Sequence, residues 1–522
     1  MKNKMYYIIV IGCQMNKSDS ERVAALLEKL GYKWSNDVKS ADLVVITTCG
    51  VRQSAEDRVY GLAPKIKKEN PKVKVVITGC LSERKDVRRR LENWVDIWLP
   101  VNEIPNLKFQ ISNNFQNTKQ RIQKNQRFGK NYLSVIPKYS SKFSAFVPIG
   151  NGCDNFCAYC VVPYARGREE YRPAEEILEE VKNLIKKGYK EIILIAQNVN
   201  SYRSVILRSE ATKNPVEQNK TGSFPRLGGV RTTREINFSK LLKAVNDIAG
   251  DFWIRFATSH PKDMSEELIE TIAGCTPSTS FGKTQDESLR TGKVCRHIHL
   301  PAQAGDDEVL RRMNRKYTRE HYIKLIKKIK KRLNPPYPLP PTAGLKGAHK
   351  EWQPSVSITT DIIVGFPGET KKQFNNTAKL FKEAKFDMAY IARYSPRPGT
   401  MAAKMADNVP KKEKKRREEA LMKILRKTAL ENNKEYVGKV VEVLVEGEKN
   451  GVYFGKTETF KNIKITDDPS ASSAGSPQAN SPRPELGTKA GQARQTAELV
   501  GKFIKIKIAK VKDFGLAGEI VC

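Results

Sequence analysis

The chain has no run of about 18 apolar residues, the minimum that would cross a bilayer. Its start offers only Tyr6–Ile11, a short apolar run with no small-residue cleavage site behind it, which reads as a first buried strand rather than a leader. Acidic residues are scarce: 57 Asp+Glu stand against 93 Lys+Arg, a formal net charge of +36. Such an excess points to a polyanionic partner, nucleic acid above all, or to a merely solubilising lysine surface. Histidine is rare, at five. Cysteine is present in an odd number, nine, in a long chain with no secretion signal, so structural disulfides explain it poorly and metal binding or catalysis explains it better. At 39% hydrophobic content a packed core is expected, and 522 residues suffice for several domains.

The cysteines divide by placement. Cys13, Cys49 and Cys80 are spaced about one βαβ unit apart, each just after an apolar, β-branched run: Tyr6–Ile11, Leu43–Thr47 and Val73–Thr78. In a parallel sheet the carboxyl ends of the strands share one edge, so these three would converge. They could hold a second iron–sulfur cube, or each could be a small core residue. Cys153, Cys157 and Cys160 form a CxxxCxxC loop. Three thiolates at this spacing hold three irons of a [4Fe–4S] cube and leave the fourth open to chelate a small molecule. A zinc knuckle would want a fourth ligand, and no suitable histidine is near. Cys275, Cys295 and Cys522 fit no pattern.

The expected fold class is α/β in three parts: an N-terminal parallel-sheet domain, a partial (β/α) barrel and a small OB-like β-barrel. Residues 1–105 form the first and 106–142 a basic linker. Residues 143–410 carry six candidate strands: Ala145–Ile149, Glu191–Ala196, Trp253–Ala257, His297–Leu300, Val356–Val364 and Met388–Arg393. Residues 411–437 are a basic helical connector, with a cationic block at Lys411–Arg417 that either grips phosphate or is a solvated face. Residues 438–522 hold Val440–Val445, Tyr453–Thr459, Phe503–Val511 and Ala517–Val521 as short strands. Arg203–Arg234, Pro277–Gly292, Asn334–Pro354 and Asp467–Gln495 read as inserted flexible loops, poor in apolar periodicity. The first begins on a strand-end loop, where folding inward would obstruct the mouth of a site.

Lesser candidates have bland readings too. His260 follows Thr258-Ser259 at a strand end and either touches a ligand or closes a turn. His297 and His299 face the same way on one strand, and without a third ligand a packed strand is the expectation. Gly365–Gly368 has no Walker spacing and reads as backbone passing close to a ligand.

The loop Gly152-Cys153-Asp154-Asn155-Phe156-Cys157-Ala158-Tyr159-Cys160 resembles the radical-SAM superfamily. Further motifs resemble the methylthiotransferases within it. They are Gly12-Cys13-Gln14-Met15-Asn16, Thr48-Cys49-Gly50-Val51-Arg52, Thr78-Gly79-Cys80, Val162–Glu169, Gln197–Tyr202, Ser259-His260-Pro261, Gly365–Thr370 and Arg397–Thr400. The end, Gly438–Cys522, looks like a TRAM domain, an RNA-binding barrel. The resemblance implies two [4Fe–4S] clusters as cofactors, one on Cys153, Cys157 and Cys160 and an auxiliary one on Cys13, Cys49 and Cys80. It implies S-adenosyl-L-methionine (SAM) as the second cofactor, contacted by Tyr159, Gln197, Asn198, Thr258, Ser259, Gly365 and Phe366, and no catalytic residue beyond the cluster ligands. Gln14-Met15-Asn16, where the branch acting on a ribosomal protein has Pro-Lys-Asn, is similar to the MiaB-type branch. That branch implies methylthiolation of N6-isopentenyladenosine at position 37, 3′ of the tRNA anticodon. Threonylcarbamoyladenosine, a ribosomal protein, or a non-catalytic iron–sulfur RNA-binding role are the alternatives. Expected partners are the anticodon stem-loop, an electron donor such as flavodoxin or ferredoxin, and a sulfur or cluster donor. A cytoplasmic monomer with no membrane contact is expected. Pro301-Ala302-Gln303-Ala304-Gly305 departs from the family, which usually has Val and Ser where the alanines stand.

Overall fold

The computed structural model describes residues 4–112, 132–207, 233–276, 292–334, 352–466 and 499–521. Its N-terminal unit is a parallel sheet built from β1 (Met5–Ile11), β2 (Lys33–Trp34), β3 (Leu43–Thr48), β4 (Lys74–Gly79) and β5 (Ile97–Leu99), in the order β2-β1-β3-β4-β5. The short β2 and β5 were not visible as apolar runs; two and three residues carry no period. Leu43–Ile46 and Val75–Ile77 are wholly buried because helices cover both faces. Helix α1 (Gln14–Lys29) follows β1, and α2 (Gln53–Glu69) follows β3. Each therefore begins at the carboxyl edge of the sheet, where the three spaced cysteines lie.

The second unit has six parallel strands in two sheets of three. One holds β6 (Ser144–Pro148), β9 (Glu191–Ile195) and β12 (Trp253–Ala257); the other holds β13 (His297–His299), β14 (Ser357–Val364) and β15 (Met388–Arg393). Among the described residues a bridge from Ile254 in β12 to Val294, just before β13, links them, and the outer strands β6 and β15 do not pair, so this is a partial barrel with an open side. Between β6 and β9 the short pair β7 (Gly150–Asn151) and β8 (Glu170–Tyr171) closes the cysteine loop. The alanines of the 301–305 segment, Ala302 and Ala304, are buried in the core, and a side chain at Gly305 would meet the Thr377 backbone at 2.6 Å. Small residues are what this crossing accepts.

The N-terminal unit spans the open side. Met15 of α1 packs with Ile193, Ile195, Phe146 and Ala257 on the inner face of one sheet. At the opposite edge, Arg397 beyond β15 donates to Gln53, Glu56 and the Val51 carbonyl.

The third unit is a closed barrel of β16 (Val440–Lys449), β17 (Val452–Thr457), β18 (Asn462–Ile465), β20 (Gly515–Ile520) and β19 (Phe503–Lys512). It plugs the amino-terminal end of the half-barrel. Trp253 packs at a tilt against Phe503 with ring centroids 4.7 Å apart, Phe460 lies over His297, and Arg255 donates to the Thr457 and Glu458 carbonyls.

Two expectations are corrected. The first insertion is not loop throughout: β10 (Arg203–Leu207) and β11 (Thr233–Asn237) pair antiparallel at its base. Two short strands whose partners lie some 30 residues apart leave no local signal. Residues 208–232, 277–291, 335–351 and 467–498, which carry nearly all of the insertions, lie outside the described residues. The linker, too, is more than a connector. Residues 113–131 of it are outside the described residues, but Tyr132 and Leu133 are buried in the N-terminal core, and Ser140 donates to Glu21. Among the described residues no helix is long and apolar enough to cross a membrane.

Candidate active site

Asn16 ties the first three cysteine loops together. Its Oδ1 accepts from the Cys13 backbone N–H at 3.3 Å, and its Nδ2 donates to the Thr48 carbonyl at 2.9 Å. The Cys80 N–H donates to that same carbonyl, also at 2.9 Å. Gly12 and Gly79 are glycines for this reason: an added Cβ would stand 2.3 Å from Asn16 Oδ1 at the first and 2.4 Å from the Thr48 oxygen at the second, where φ is also +90°. Asn16→Ala is expected to lower iron loading while leaving SAM cleavage in place. It should also cost about 1–3 kcal/mol in a denaturant titration, because buried polar partners are left unsatisfied.

The second set lies on the loop after β6. Hydrogen-bond donors point at its sulfurs. Asn155 Nδ2 reaches Cys153 Sγ at 3.4 Å, Arg315 reaches Cys157 Sγ at 3.4 Å, and the Val162 N–H reaches Cys160 Sγ at 3.5 Å. In the first set the Val51 N–H reaches Cys49 Sγ at 3.4 Å. The two sets adjoin: a Cβ on Gly50 would touch Val161 at 3.1 Å and Cys80 at 3.2 Å. Cys80 also helps to raise the Cys160 thiol, after burial and Cys157. Burial first, then Cys80 and Cys13, push the Cys49 thiol up to about 11. Burial likewise raises Cys13, with Arg166 pulling the other way. Cys13 is nevertheless solvent-exposed, as a side chain lining a recess would be.

These donor sets fit iron–sulfur cubes. Hydrogen-bond donors are already aimed at sulfurs that would carry negative charge as metal ligands. Among the described residues no three His, Cys, Asp or Glu side chains are gathered as a single ion would need. A cube takes each cysteine at a different corner and so spaces them more widely than one zinc ion would.

The SAM candidates separate into two groups. Gln197, Asn198 and Ser259 sit beyond the carboxyl ends of β9 and β12, and their Oε1, Oδ1 and Oγ atoms are buried without partners. Thr258, between them, has φ of 70°. Unsatisfied buried polar atoms beside a cysteine loop fit a polar cofactor. Tyr159 packs half-buried against the barrel core. Gly365 and Phe366 lie just past the carboxyl end of β14. The space beside Gly365 is filled by Lys414, its N–H donates to Glu369, and Phe366 is fully buried against Tyr394. His260 accepts from the Lys262 N–H and caps a turn; burial, with Arg315 and Lys262, lowers its pKa to about 2, so it stays neutral. His297 and His299 do face the same way, meeting one hydroxyl, Thr359 Oγ1, at 3.1 and 2.9 Å.

Sequence reasoning missed the pairs that lock the units together. Arg166, six residues past Cys160, meets Asp19, six past Cys13, at 2.6 Å with both side chains almost fully buried. Glu56 is shared by Arg84 and Arg397. No local pattern announces a partner 147 or 341 residues away. The cationic block is partly spent: Lys414 pairs with Asp407, Arg417 with Glu369 and Arg416 with Glu413.

A half-barrel carrying a CxxxCxxC loop, closed by a sheet that presents three further cysteines, defines a two-cluster radical-SAM enzyme. Residues 147–381 match the Radical SAM superfamily, and residues 5–99 match the Uncharacterized protein family UPF0004. The tRNA-2-methylthio-N(6)-dimethylallyladenosine synthase of Thermoanaerobacter pseudethanolicus is 36% identical, over 100% of this chain and 93% of its own. Those of Clostridium novyi (35%; 99% and 97%) and Carboxydothermus hydrogenoformans (34%; 100% and 100%) are similar throughout as well. The chain belongs to the family of tRNA-2-methylthio-N(6)-dimethylallyladenosine synthases. Among solved structures, the radical S-adenosylmethionine methyltransferase TsrM of Kitasatospora setae is similar over 74% of this chain and 73% of its own, at 13% identity and a TM-score of 0.46.

Proposed function

We propose that this chain methylthiolates carbon 2 of N6-isopentenyladenosine at position 37 of tRNA. The observation that carries the reading is that two three-cysteine sets adjoin at the carboxyl ends of their strands: Gly50, beside Cys49, lies against Cys80 and against Val161, which follows Cys160. Cys153, Cys157 and Cys160 would hold the cluster that binds SAM, and Cys13, Cys49 and Cys80 the auxiliary one. When bound, these groups supply the radical that attacks an unactivated C–H, together with the sulfur and methyl groups. The chain's own residues orient and enclose. Arg315 and Asn155 donate to cysteine sulfurs, Asn16 holds the auxiliary loops, and Gln197, Asn198, Thr258 and Ser259 offer polar contacts to SAM. The N-terminal unit shuts the open side of the half-barrel against water. The C-terminal barrel, as a TRAM domain, and the surface cations would grip the anticodon stem-loop. An electron donor such as flavodoxin or ferredoxin and a sulfur or cluster donor complete the set of partners for a cytoplasmic monomer.

The test offers the reconstituted enzyme two anticodon stem-loops, one isopentenylated and one threonylcarbamoylated. Nucleoside mass spectrometry should find methylthiolation of the first favoured by about 100-fold or more, since an apolar pocket would bury the threonylcarbamoyl carboxylate unpaired at a cost of several kcal/mol. Preference for the second loop would overturn the substrate assignment. Product on neither loop, with modification of a ribosomal protein instead, would overturn the RNA reading.

A further inference from the structure

The inner face of the β13–β15 sheet carries a group of side chains that holds neither cysteine set. His299 lies opposite Thr359, and Asp361 lies opposite Tyr390, across successive strands. Ile298, Thr360 and Ile362 alternate with them and are buried on the helix side, so His299, Thr359, Asp361 and Tyr390 lie on the opposite, inner face of the sheet. Asp361 and Tyr390 remain open, their side chain and residue being 41% and 45% exposed. His299 is oriented through both nitrogens. Its Nδ1 meets Thr359 Oγ1 at 2.9 Å, and its Nε2 lies 3.3 Å from Asp361 Oδ2. Arg52, three residues past Cys49, sits 6.0 Å above the Tyr390 ring. This wall therefore joins the half-barrel to the auxiliary cysteine loop.

We propose that this wall reads the target base: Asp361 accepts the exocyclic N6–H, and the purine lies on Tyr390 beside the Arg52 guanidinium. Carboxylates accept from base amino groups, and unstacked bases lie on aromatic and guanidinium planes. The inference rests on the adenosine-modifying function proposed above and narrows it. An adenine with one N6 substituent keeps one N–H to donate. Guanine puts an acceptor oxygen at the same place and is repelled by the carboxylate. His299 is a positioning residue, fixing the carboxylate through Oδ2 and leaving Oδ1 to the base.

The experiment uses the full-length, cluster-loaded enzyme and two stem-loops. One carries N6-isopentenyladenosine; the other carries N6-isopentenyl-N6-methyladenosine, which has no N6–H. Wild type should prefer the first in kcat/KM by roughly 10- to 100-fold, the worth of one charge-assisted hydrogen bond. Asp361→Ala should bring that ratio near one with unchanged iron content and unchanged SAM cleavage, and Asp361→Asn, which keeps an acceptor, should restore part of it. A wild-type ratio near one overturns the inference, whatever the variants do, and leaves the proposed function standing. A ratio that survives Asp361→Ala overturns it equally. If wild type modifies neither loop, the proposed function fails and this reading with it.

Discussion

Replacing Cys13, Cys49 and Cys80 together by alanine is expected to lower iron from about eight atoms per chain to about four, abolish methylthiolation, and leave 5′-deoxyadenosine formation from SAM intact. The two sets lie on separate loops, one on the N-terminal sheet edge and one after β6, and each has its own hydrogen-bond donors to sulfur. The sets adjoin through Gly50, Val161 and Cys80. Three alanines should therefore empty one site without unbuilding the other. Iron analysis, absorbance and chromatography of SAM products read the three effects independently. Full iron content in the triple variant would remove the auxiliary cluster from the account. Loss of SAM cleavage would show that the two sites fold as one.

Asp19→Ala should be the most destabilising single change at the seam between units. It leaves the Arg166 guanidinium charged and without its carboxylate, in a place where its side chain is only 2% exposed. Burial works against the Arg166 charge, and Asp19, with help from Cys80 and Tyr132, outweighs it in the intact protein. Breaking a buried pair by removing one partner typically costs about 3–5 kcal/mol. Urea denaturation of the apoprotein should show the loss, and the replacement of both members, Asp19→Leu with Arg166→Met, should recover much of it. A change below about 1 kcal/mol for Asp19→Ala would mean that the pair is solvated and not the lock described here.

Much of this architecture could be read along the chain. The six strands of the half-barrel were legible because each is a β-branched or aromatic run bounded by turn residues; Trp253–Ala257 and Met388–Arg393 coincide with their predicted ends. Of the C-terminal barrel four strands were legible, while Asn462–Ile465, with lysine and asparagine alternating with isoleucine, was not. The long basic helix appears as Lys411–Lys434, but Lys414 and Arg417 within it are structural. A cation looks the same in a sequence whether it faces water or a buried carboxylate.

The sequence by itself determined the chemistry available: two sets of three thiols, one on a tight loop and one at strand-to-helix turns. Spacing is a local property, and a βαβ unit has a fixed length. Only the tertiary structure decided that the two sets adjoin, that the N-terminal unit shuts the open side of the half-barrel, and that Arg166 and Arg397 hold it there. It also decided which wall of the site shows His299, Asp361, Tyr390 and Arg52. The physical reason is the same in each case. A hydrogen bond or an ion pair between residues far apart in the chain is fixed by packing, and packing leaves no mark on either neighbourhood alone.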